Sequence, residues 1–580
     1  MTPSTTAAGD RRLERPRERA RCSAGGRLSP LLSVWALIIC DPAWGQQDQR
    51  PGARLPEPPE YAAPSSGARI LPPVPLPDGS STRSLEAGRR VFVRDYRLSG
   101  NTVLADDELA PLLAPYANRE VSFEELAELR DALTRAYVER GYVSSGAVIP
   151  PQTLEHDVLE IVLVEGVLVD VKVQTDGRLR ESYLRKRIQR GVIDPVNVTV
   201  LEERLQILQQ DERVARIEAS LTPAEQRGES VLDLSVTEAT PYSFYLEASN
   251  YESPSVGAVR GLVRFTHRNV TGFGDRVSAT YRQSKGLRGI EGSYAVPLNA
   301  HDTALELHSQ YASSDVVEEP FDELDIESRS QTHGMTLSHP LYRTPSRRLS
   351  ISATGEYRRS KSFLSGSPVS FSQGVERGVS KVAVVRVSQD ASLRKPRQAL
   401  AVRSTLSVGL DALGATRNSG NTPDGQFVSW LGQLQYVQRA AWLDTQIIVR
   451  AAAQISDSPL LGLEQFPLGG HASVRGYREN AVVRDNGAVA SLEARIPVLR
   501  RSVGVPLLQV GPFVDVGHAW DSEGAAADET LLAVGIGARW AVTNNIVLEG
   551  TWAESVRDLP SGGEHDPQDS GLQLRLSAAF

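Results

Sequence analysis

The sequence has very little cysteine. Only Cys22 and Cys40 are present among 580 residues, and both lie within the first 45 positions. The remainder of the chain therefore cannot depend on disulfides, which fits a periplasmic or outer-membrane protein that folds without them.

Long hydrophobic runs are also missing. No stretch of eighteen or more apolar residues occurs, which excludes a transmembrane helix. The composition, with 40% hydrophobic and 23% charged residues, excludes collagen, a coiled coil and wholesale disorder. The length exceeds one ordinary hydrophobic core, so two or three domains are expected.

The first 45 residues have the pattern of an export signal. An arginine-rich start precedes an apolar stretch from Leu31 to Cys40, and Ala43-Trp44-Gly45 supplies small residues at the two cleavage positions. A lipoprotein signal is not indicated, because Ile39 is not small. This segment carries seven arginines and four acidic residues, so its removal takes the formal net charge from −8 to −11. That acidity argues against nucleic acid as a partner.

A proline-rich linker is predicted for residues 46–90. Nine prolines fall between positions 46 and 80, interleaved with Ser, Gly and Ala, and such a composition neither propagates a helix nor builds a core. The linker separates the export signal from the first folded unit.

Residues 91–240 contain two copies of a small α+β unit. In the first copy, 91–166, a strand from Val91 is followed by two helical patterns, the second opened by the capping box Ser122 to Glu125, and by two strands. The same β-α-α-β-β order recurs in 167–240. Each copy predicts a short sheet with an edge able to pair with another strand.

Residues 241–580 predict a membrane β-barrel of about sixteen antiparallel strands. Stretches of about ten residues alternate with period two, and in 487–496 an apolar face opposes Ser491, Glu493 and Arg495, as a water-filled barrel requires. The strands are predicted to begin near Tyr242, Val256, Arg276, Gly289, Thr303, Gly334, Leu349, Lys381, Ala401, Phe427, Trp442, Gly487, Leu507, Leu531, Asn545 and Gly571.

The connections between these strands alternate in length. Even-numbered connections are short, whereas long loops are predicted at Ser313–Arg329, Arg359–Ser380 and Ser456–Asn486. Short turns on one side and long loops on the other are typical of an even-stranded outer-membrane barrel with both ends in the periplasm.

Several short motifs occur in a characteristic order along residues 91–580. They are Arg140-Gly141-Tyr142-Val143, Ile149-Pro150, Val164-Glu165-Gly166, Leu221-Thr222-Pro223, the segment from Asn269 to Asp275, Val474-Arg475-Gly476-Tyr477, and Phe513-Val514-Asp515-Val516-Gly517. In these motifs and their order, residues 91–580 resemble the outer-membrane transporters of two-partner secretion, the TpsB-type haemolysin secretion/activation family. The two α+β units are similar to that family's POTRA domains.

The resemblance implies a lock between a loop and the barrel wall. In that family the arginine of the loop motif pairs with the aspartate of the strand motif, and the matching positions are Arg475 and Asp515. Alternation along the strand also predicts that Asp515 faces the lumen. Glu493, on the neighbouring strand, is a competing carboxylate. The remaining motif residues expected in or beside the lock are Gly476, Tyr477, Val474, Phe513 and Gly517.

The function implied is export of one large partner protein, unfolded, from the periplasm through an outer-membrane pore, with possible activation of a haemolysin or adhesin. The family's pore-plugging N-terminal helix is not expected here, because Pro51, Pro56, Pro58 and Pro59 leave little room for one. A monomer surrounded by outer-membrane lipid is expected, with no cofactor, no metal and no enzymatic activity.

Three alternatives remain open on the sequence. A barrel-assembly insertase of the same superfamily usually carries more POTRA units, and a passive porin needs no POTRA pair and no in-folded arginine loop. An outer-membrane enzyme is the third class, for which only His308, Glu306 and His518 are mildly suggestive.

Overall fold

The computed structural model describes residues 70–72, 90–501, 505–523, 527–557, 559 and 565–580. The predicted export signal, 1–45, and nearly all of the predicted linker, 46–90, lie outside the described residues, as does the position of any plug helix. Among the described residues, no helix is both long and apolar enough to cross a bilayer.

The first α+β unit is built from short strands and two helices. Helix α1 spans Asp106–Leu113 and helix α2 spans Phe123–Glu139. The Ser122 side chain accepts from the Glu125 amide and the Glu125 carboxylate accepts from the Ser122 amide, so the predicted capping box forms. The strands are Arg90–Val93, Asp95–Ser99, Arg119–Ser122, Gly146–Val148 and Val158–Val164.

The second unit repeats this order around its own core. Helices α3, Glu181–Gln189, and α4, Val198–Gln209, cover a three-stranded sheet. Leu201, Leu205 and Leu208 of α4 are buried because residues three and four apart share one helix face. The strands are Val167–Thr175, Val214–Pro223 and Glu229–Glu238.

Sixteen long antiparallel strands close into a barrel, as predicted. The last strand pairs with the first, from Arg575 opposite Ser249 to Ala579 opposite Tyr245, so the ring closes and leaves no free edge. The strands are Tyr242–Ser249, Arg260–His267, Arg276–Gln283, Leu287–Pro297, Ala304–Asp315, Ile326–Arg343, Arg347–Leu364, Val379–Lys395, Gln398–Leu410, Val428–Arg439, Gln446–Ser456, Asn486–Arg500, Pro506–Trp520, Glu529–Ala541, Ile546–Ser555 and Leu572–Ala579.

Period-two alternation sorts side chains between the outside and the lumen. Along the thirteenth barrel strand, Val514 and Val516 are exposed on the outer surface, whereas Phe513 and Asp515 are buried inside. Outward apolar side chains recur on the neighbouring strands and form the band that a bilayer requires. They include Leu492, Val534, Ile536, Leu574 and Leu576.

Two predicted loops are shorter than expected, because the flanking strands extend into them. The sixth barrel strand begins at Ile326 rather than near Gly334, and the seventh continues to Leu364, so the loops expected at Ser313–Arg329 and Arg359–Ser380 shrink to 316–325 and 365–378. These extensions are polar on both faces, for example at Glu327 to Ser330. Apolar and polar side chains stop alternating where both faces of a strand meet water, although the main-chain pairing continues. The predicted bounds of these two loops were therefore wrong.

The second α+β unit contacts the rim of the barrel that carries the short turns. Arg187 of α3 is 2.9 Å from Asp302 in one turn. The Arg180 amide donates to the Gly272 carbonyl in another turn, and the Arg180 guanidinium lies 4.0 Å from the centre of the Phe273 ring. The motif from Asn269 to Asp275 thus forms a docking surface for this unit.

Candidate functional site

The candidate site lies in the lumen, where the longest connection folds inward. Residues 457–485 join the eleventh and twelfth barrel strands, and within them Phe466–Leu468 pairs with Val482–Arg484 as a short antiparallel hairpin. Phe466, Leu468 and Val474 are fully buried. They pack in one cluster with Phe513 and Ala533, which face inward from the barrel wall, so this part of the loop lies in the lumen.

The tip of the loop depends on Gly476. Its φ of +90° lies in the region that favours glycine, and an added Cβ would come within 3.1 Å of the Ala553 Cβ and 3.2 Å of the Ala553 carbonyl oxygen on the inner wall. Position 476 therefore requires glycine for two reasons: the positive φ, and the lack of room for a side chain.

Arg475 and Asp515 are brought together in a buried bidentate ion pair. Arg475 Nε lies 2.7 Å from Asp515 Oδ2, and Arg475 Nη2 lies 2.8 Å from Oδ1. The Arg475 main-chain amide also donates to Oδ2, at 3.1 Å. Asp515 is 0% exposed and Arg475 is 3% exposed. One carboxylate thus fixes both the side chain and the backbone of the loop tip.

Glu493 joins the same cluster. Arg475 Nη1 lies 2.8 Å from Glu493 Oε2, Nη2 donates to the Ser491 hydroxyl at 3.1 Å, and the guanidinium stacks 3.4 Å from the Phe513 ring centre. The sequence left Asp515 and Glu493 as alternative partners of Arg475, whereas in the structure Arg475 contacts both carboxylates. Three hydrogen bonds to carboxylates, one to a hydroxyl and a stacking contact with an aromatic ring thus hold one guanidinium.

The remaining motif residues shape the wall for the loop. An added Cβ on Gly517 would lie 2.4 Å from Leu468 Cδ1, so any larger residue at this strand position would push the packed side chains of the loop aside. Val474 belongs to an apolar cluster that also contains Phe513, and the Tyr477 hydroxyl donates to the Leu532 carbonyl at 3.2 Å. Apolar packing and the ion pair therefore act at the same place.

A second anchor, missed by the sequence analysis, holds the other end of the loop. The side chain of Glu464 is 0% exposed and accepts from Arg358 Nη1 at 2.7 Å and from Arg386 Nη2 at 2.9 Å. These arginines belong to the seventh and eighth barrel strands. Alternation puts Arg386 in the lumen between the outward Val385 and Val387, but no local signal pairs it with a residue 78 positions away.

A third contact joins the loop to the long-loop rim. Arg478 lies 2.5 Å from Asp569 Oδ1 through Nε and 2.6 Å from Glu318 Oε1 through Nη1. The side-chain hydrogen bonds to both carboxylates raise the pKa of Arg478. The loop thus contacts the strand 12–13 wall, the strand 7–8 wall and two outer loops, and it spans the lumen.

Glu464 is expected to govern how firmly the loop is held in the lumen. In a Glu464→Ala variant, Arg358 and Arg386 lose a buried acceptor, and breaking such a pair costs roughly 3–5 kcal/mol when burial is complete. The loop stays attached at Arg475, so we expect higher ion conductance in planar bilayers with normal barrel assembly. Asp457→Asn, a loop acid that is exposed, is the matched control. Equal conductance in both variants would contradict the second anchor.

The residues suggestive of an enzyme do not meet in one site. His308 lies in the lumen, 3.3 Å from Glu356 Oε1, and the exposed His518 contacts the Thr530 hydroxyl on the outer surface. Glu306 lies on the same strand as His308. Among the described residues, no group of three or more His, Cys, Asp or Glu side chains is arranged to hold a metal ion.

Comparison with known proteins identifies the family. The model of the haemolysin secretion/activation proteins ShlB/FhaC/HecB matches residues 228–540, and the ShlB-type POTRA domain model matches residues 91–166. The chain is 25% identical to the outer membrane transporter CdiB of Escherichia coli, over 72% of this chain and 70% of that protein. It is 23% identical to the heme/hemopexin transporter protein HuxB of Haemophilus influenzae, over 72% and 74%.

Solved structures share the fold. CdiB from Escherichia coli aligns with a TM-score of 0.61 at 20% identity, covering 87% of this chain and 94% of that chain. BamA from Haemophilus ducreyi lacking POTRA domains 1–3 aligns with a TM-score of 0.52 at 13% identity, covering 84% and 100%. The family match favours export over the barrel-assembly alternative. This chain belongs to the haemolysin secretion/activation protein family and is an outer-membrane transporter of two-partner secretion, with its POTRA region in the periplasm and a partner exoprotein as its cargo.

Proposed function

We propose that the transporter takes its client as an unfolded chain on the sheet edges of two POTRA units, 91–166 and 167–240, and passes it through a barrel, 241–580, that the inward loop closes at rest. The observation that carries this proposal is the combination of open sheet edges on the periplasmic side and a lumen crossed by a tethered loop. The client folds outside the cell, and its folding supplies the energy.

Each POTRA unit offers an edge strand. Within the described part of the chain, Asp95–Ser99 pairs on one side only, with Val158–Val164, and Val167–Thr175 pairs on one side only, with Glu229–Glu238. An extended client adds a strand to such an edge through main-chain hydrogen bonds, which carry little sequence specificity. The 49% exposed Val169 adds an apolar contact on the second edge.

The cluster of Arg475, Asp515 and Glu493 acts as the lock of the loop in this proposal. Two observations support this role: all three side chains are buried, and the turn at Gly476 lies close against Ala553 of the barrel wall. The client displaces the loop during export, and the ion pair returns the loop to the same wall afterwards.

The proposed working form is a monomer surrounded by outer-membrane lipid. Ring closure within one chain supports this form, because the strand pairing requires no second copy. Capture, passage and loop displacement are binding and conformational steps, so the proposal assigns no catalytic residue, cofactor or metal.

Site-specific photo-crosslinking tests the capture step. A benzophenone side chain at Arg97 and another at Val169, both exposed on the edge strands, are expected to form adducts with the client during export. The same group at Glu225, an exposed turn position of the second unit, is the matched control and is expected to form none. Adducts at Glu225 alone, or none at either edge, would exclude capture by strand addition.

A further inference from the structure

A cleft lies between the second POTRA unit and the periplasmic rim of the barrel. Its volume is about 340 Å³, and it is bounded on one side by α3 and α4 and on the other by the short turns of the barrel. The lining includes Arg187, Arg190, Arg204, Asp302, Leu341 and Arg343. None of the residues that line the cleft belongs to the Arg475 cluster or to the edge strands of the POTRA units.

The cleft has more positive than negative charge. Four arginines line it, together with Glu203, Asp211 and Asp302. Asp302 is shared by Arg187, at 2.9 Å, and Arg343, at 2.8 Å. Asp211 is engaged by Arg213, outside the cleft, at 2.8 Å. The cleft therefore keeps a surplus of guanidinium charge.

Arg190 and Arg204 hold this surplus. Neither side chain has a carboxylate partner among the described residues, and the buried Nε of Arg204 has no hydrogen-bond acceptor there. Burial, followed by the positive charge of Arg204, lowers the pKa of Arg190. Guanidinium groups that lie close together and make no ion pair of their own are suited to an oxyanion such as phosphate.

An apolar surface continues from the cleft up the outside of the barrel. At the periplasmic end of the sixth strand a bulge between Pro340 and Tyr342 leaves Leu341 60% exposed and Tyr342 52% exposed. Leu337 and Met335 extend the same outward face toward the middle of the membrane. Tyrosine at a membrane–water boundary beside leucine is typical of contact with lipid headgroups and chains.

We propose that this cleft binds the phosphate headgroup of an anionic phospholipid of the periplasmic leaflet, with Arg190 and Arg204 contacting the phosphate and Leu341 and Tyr342 flanking an acyl chain. A free phosphate ion would use the two arginines but not the apolar surface, so the continuity of the two features favours a lipid. The bound lipid ties the second POTRA unit to the membrane surface. This inference is independent of how the client is captured.

Lipid retention by the full-length protein tests the proposal. The protein is reconstituted in vesicles of phosphatidylethanolamine with phosphatidylglycerol, extracted in mild detergent, and analysed for bound lipid by native mass spectrometry. We expect the wild-type protein to retain phosphatidylglycerol about tenfold more than phosphatidylethanolamine, which corresponds to about 1.4 kcal/mol. Equal retention of the two lipids by the wild-type protein would overturn the proposal whatever the variants do.

Matched variants locate the site. Arg190→Gln/Arg204→Gln is expected to lose the preference, whereas Arg216→Gln/Arg227→Gln, which removes the same charge from exposed positions of the same unit, is expected to keep it. Leu341→Ser should weaken retention without changing any charge. If both double variants lose the preference for phosphatidylglycerol, the lipid is attracted by the overall positive charge of the unit, and the proposed site is wrong. The proposal is also overturned if inorganic phosphate displaces the lipid fully and Leu341→Ser retains as much lipid as the wild-type protein. Those two results together would indicate a site for a free anion.

Discussion

Export of the client is expected to fall at least about tenfold when Arg475 is replaced by alanine, because the displaced loop then no longer returns to its place on the wall. The loss of even about 1.4 kcal/mol of anchoring changes the equilibrium between the docked and the displaced loop by that factor. Replacing Arg475 by alanine removes the guanidinium from the buried Asp515 carboxylate, although the main-chain amide of residue 475 stays, and it removes the contact to Glu493 as well. Breaking a fully buried ion pair costs roughly 3–5 kcal/mol, and less where water enters. The loop then samples positions away from the wall, and secretion into the medium measures the result.

Replacing Asp515 by alanine should reduce export less than replacing Arg475. Asp515→Ala removes both hydrogen bonds of the bidentate contact but leaves Arg475 2.8 Å from Glu493. We therefore expect a clear defect that is smaller than that of Arg475→Ala. The double variant should be little worse than Arg475→Ala alone, because both substitutions remove the same interaction and their effects are not additive.

An ion pair between two barrel strands provides the control. Arg403, on the ninth barrel strand, is 2.5 Å from Asp390 on the eighth, and Arg403→Ala removes an arginine from the same lumen. This variant should export the client normally. Heat-modifiable migration of the folded barrel on gels confirms assembly of every variant. Additive defects, or normal export by Arg475→Ala, would mean that the loop is held by Glu464 and apolar packing instead.

Deleting residues 91–240 is expected to abolish export while the barrel still inserts. Each of the sixteen strands finds its hydrogen-bond partners within the closed ring, and none of the ring pairings uses the POTRA units. The edge strands that we propose capture the client, Asp95–Ser99 and Val167–Thr175, are both removed by this deletion. Client retained in the periplasm, with a normally folded barrel in the outer membrane, is the expected outcome.

A shorter deletion separates capture from assembly. Removing 91–166 alone leaves the second unit and its contact between Arg187 and Asp302 in place. The barrel should assemble as in the longer deletion, and export should again fail if both edges are needed in sequence. Normal secretion by either shortened chain would refute the assigned role of the POTRA region.

Much of the barrel could be predicted because its pattern is local. Alternation between lipid and water sets the side-chain period to two, and turn residues mark where strands end, so strand starts near Tyr242, Arg276 and Leu507 agree with the structure within a residue. The same signal failed at Ile326–Arg343, where the strand continues beyond the membrane and both faces meet water. Apolar and polar side chains alternate only where one face of a strand meets lipid and the other meets water, so the alternation disappears where both faces meet water.

The sequence by itself determined the two α+β units, the closed barrel, the inward direction of Asp515 and the identity of the loop that carries Arg475. Each follows from short-range periodicity, capping or a compact motif. Only the tertiary structure decided that Arg475 binds Glu493 as well as Asp515, that Glu464 reaches Arg358 and Arg386, and that Arg190 and Arg204 share a cleft with Leu341. These contacts join residues far apart in the chain, and their geometry arises from ring closure and from the docking of one unit on another, which no local pattern encodes.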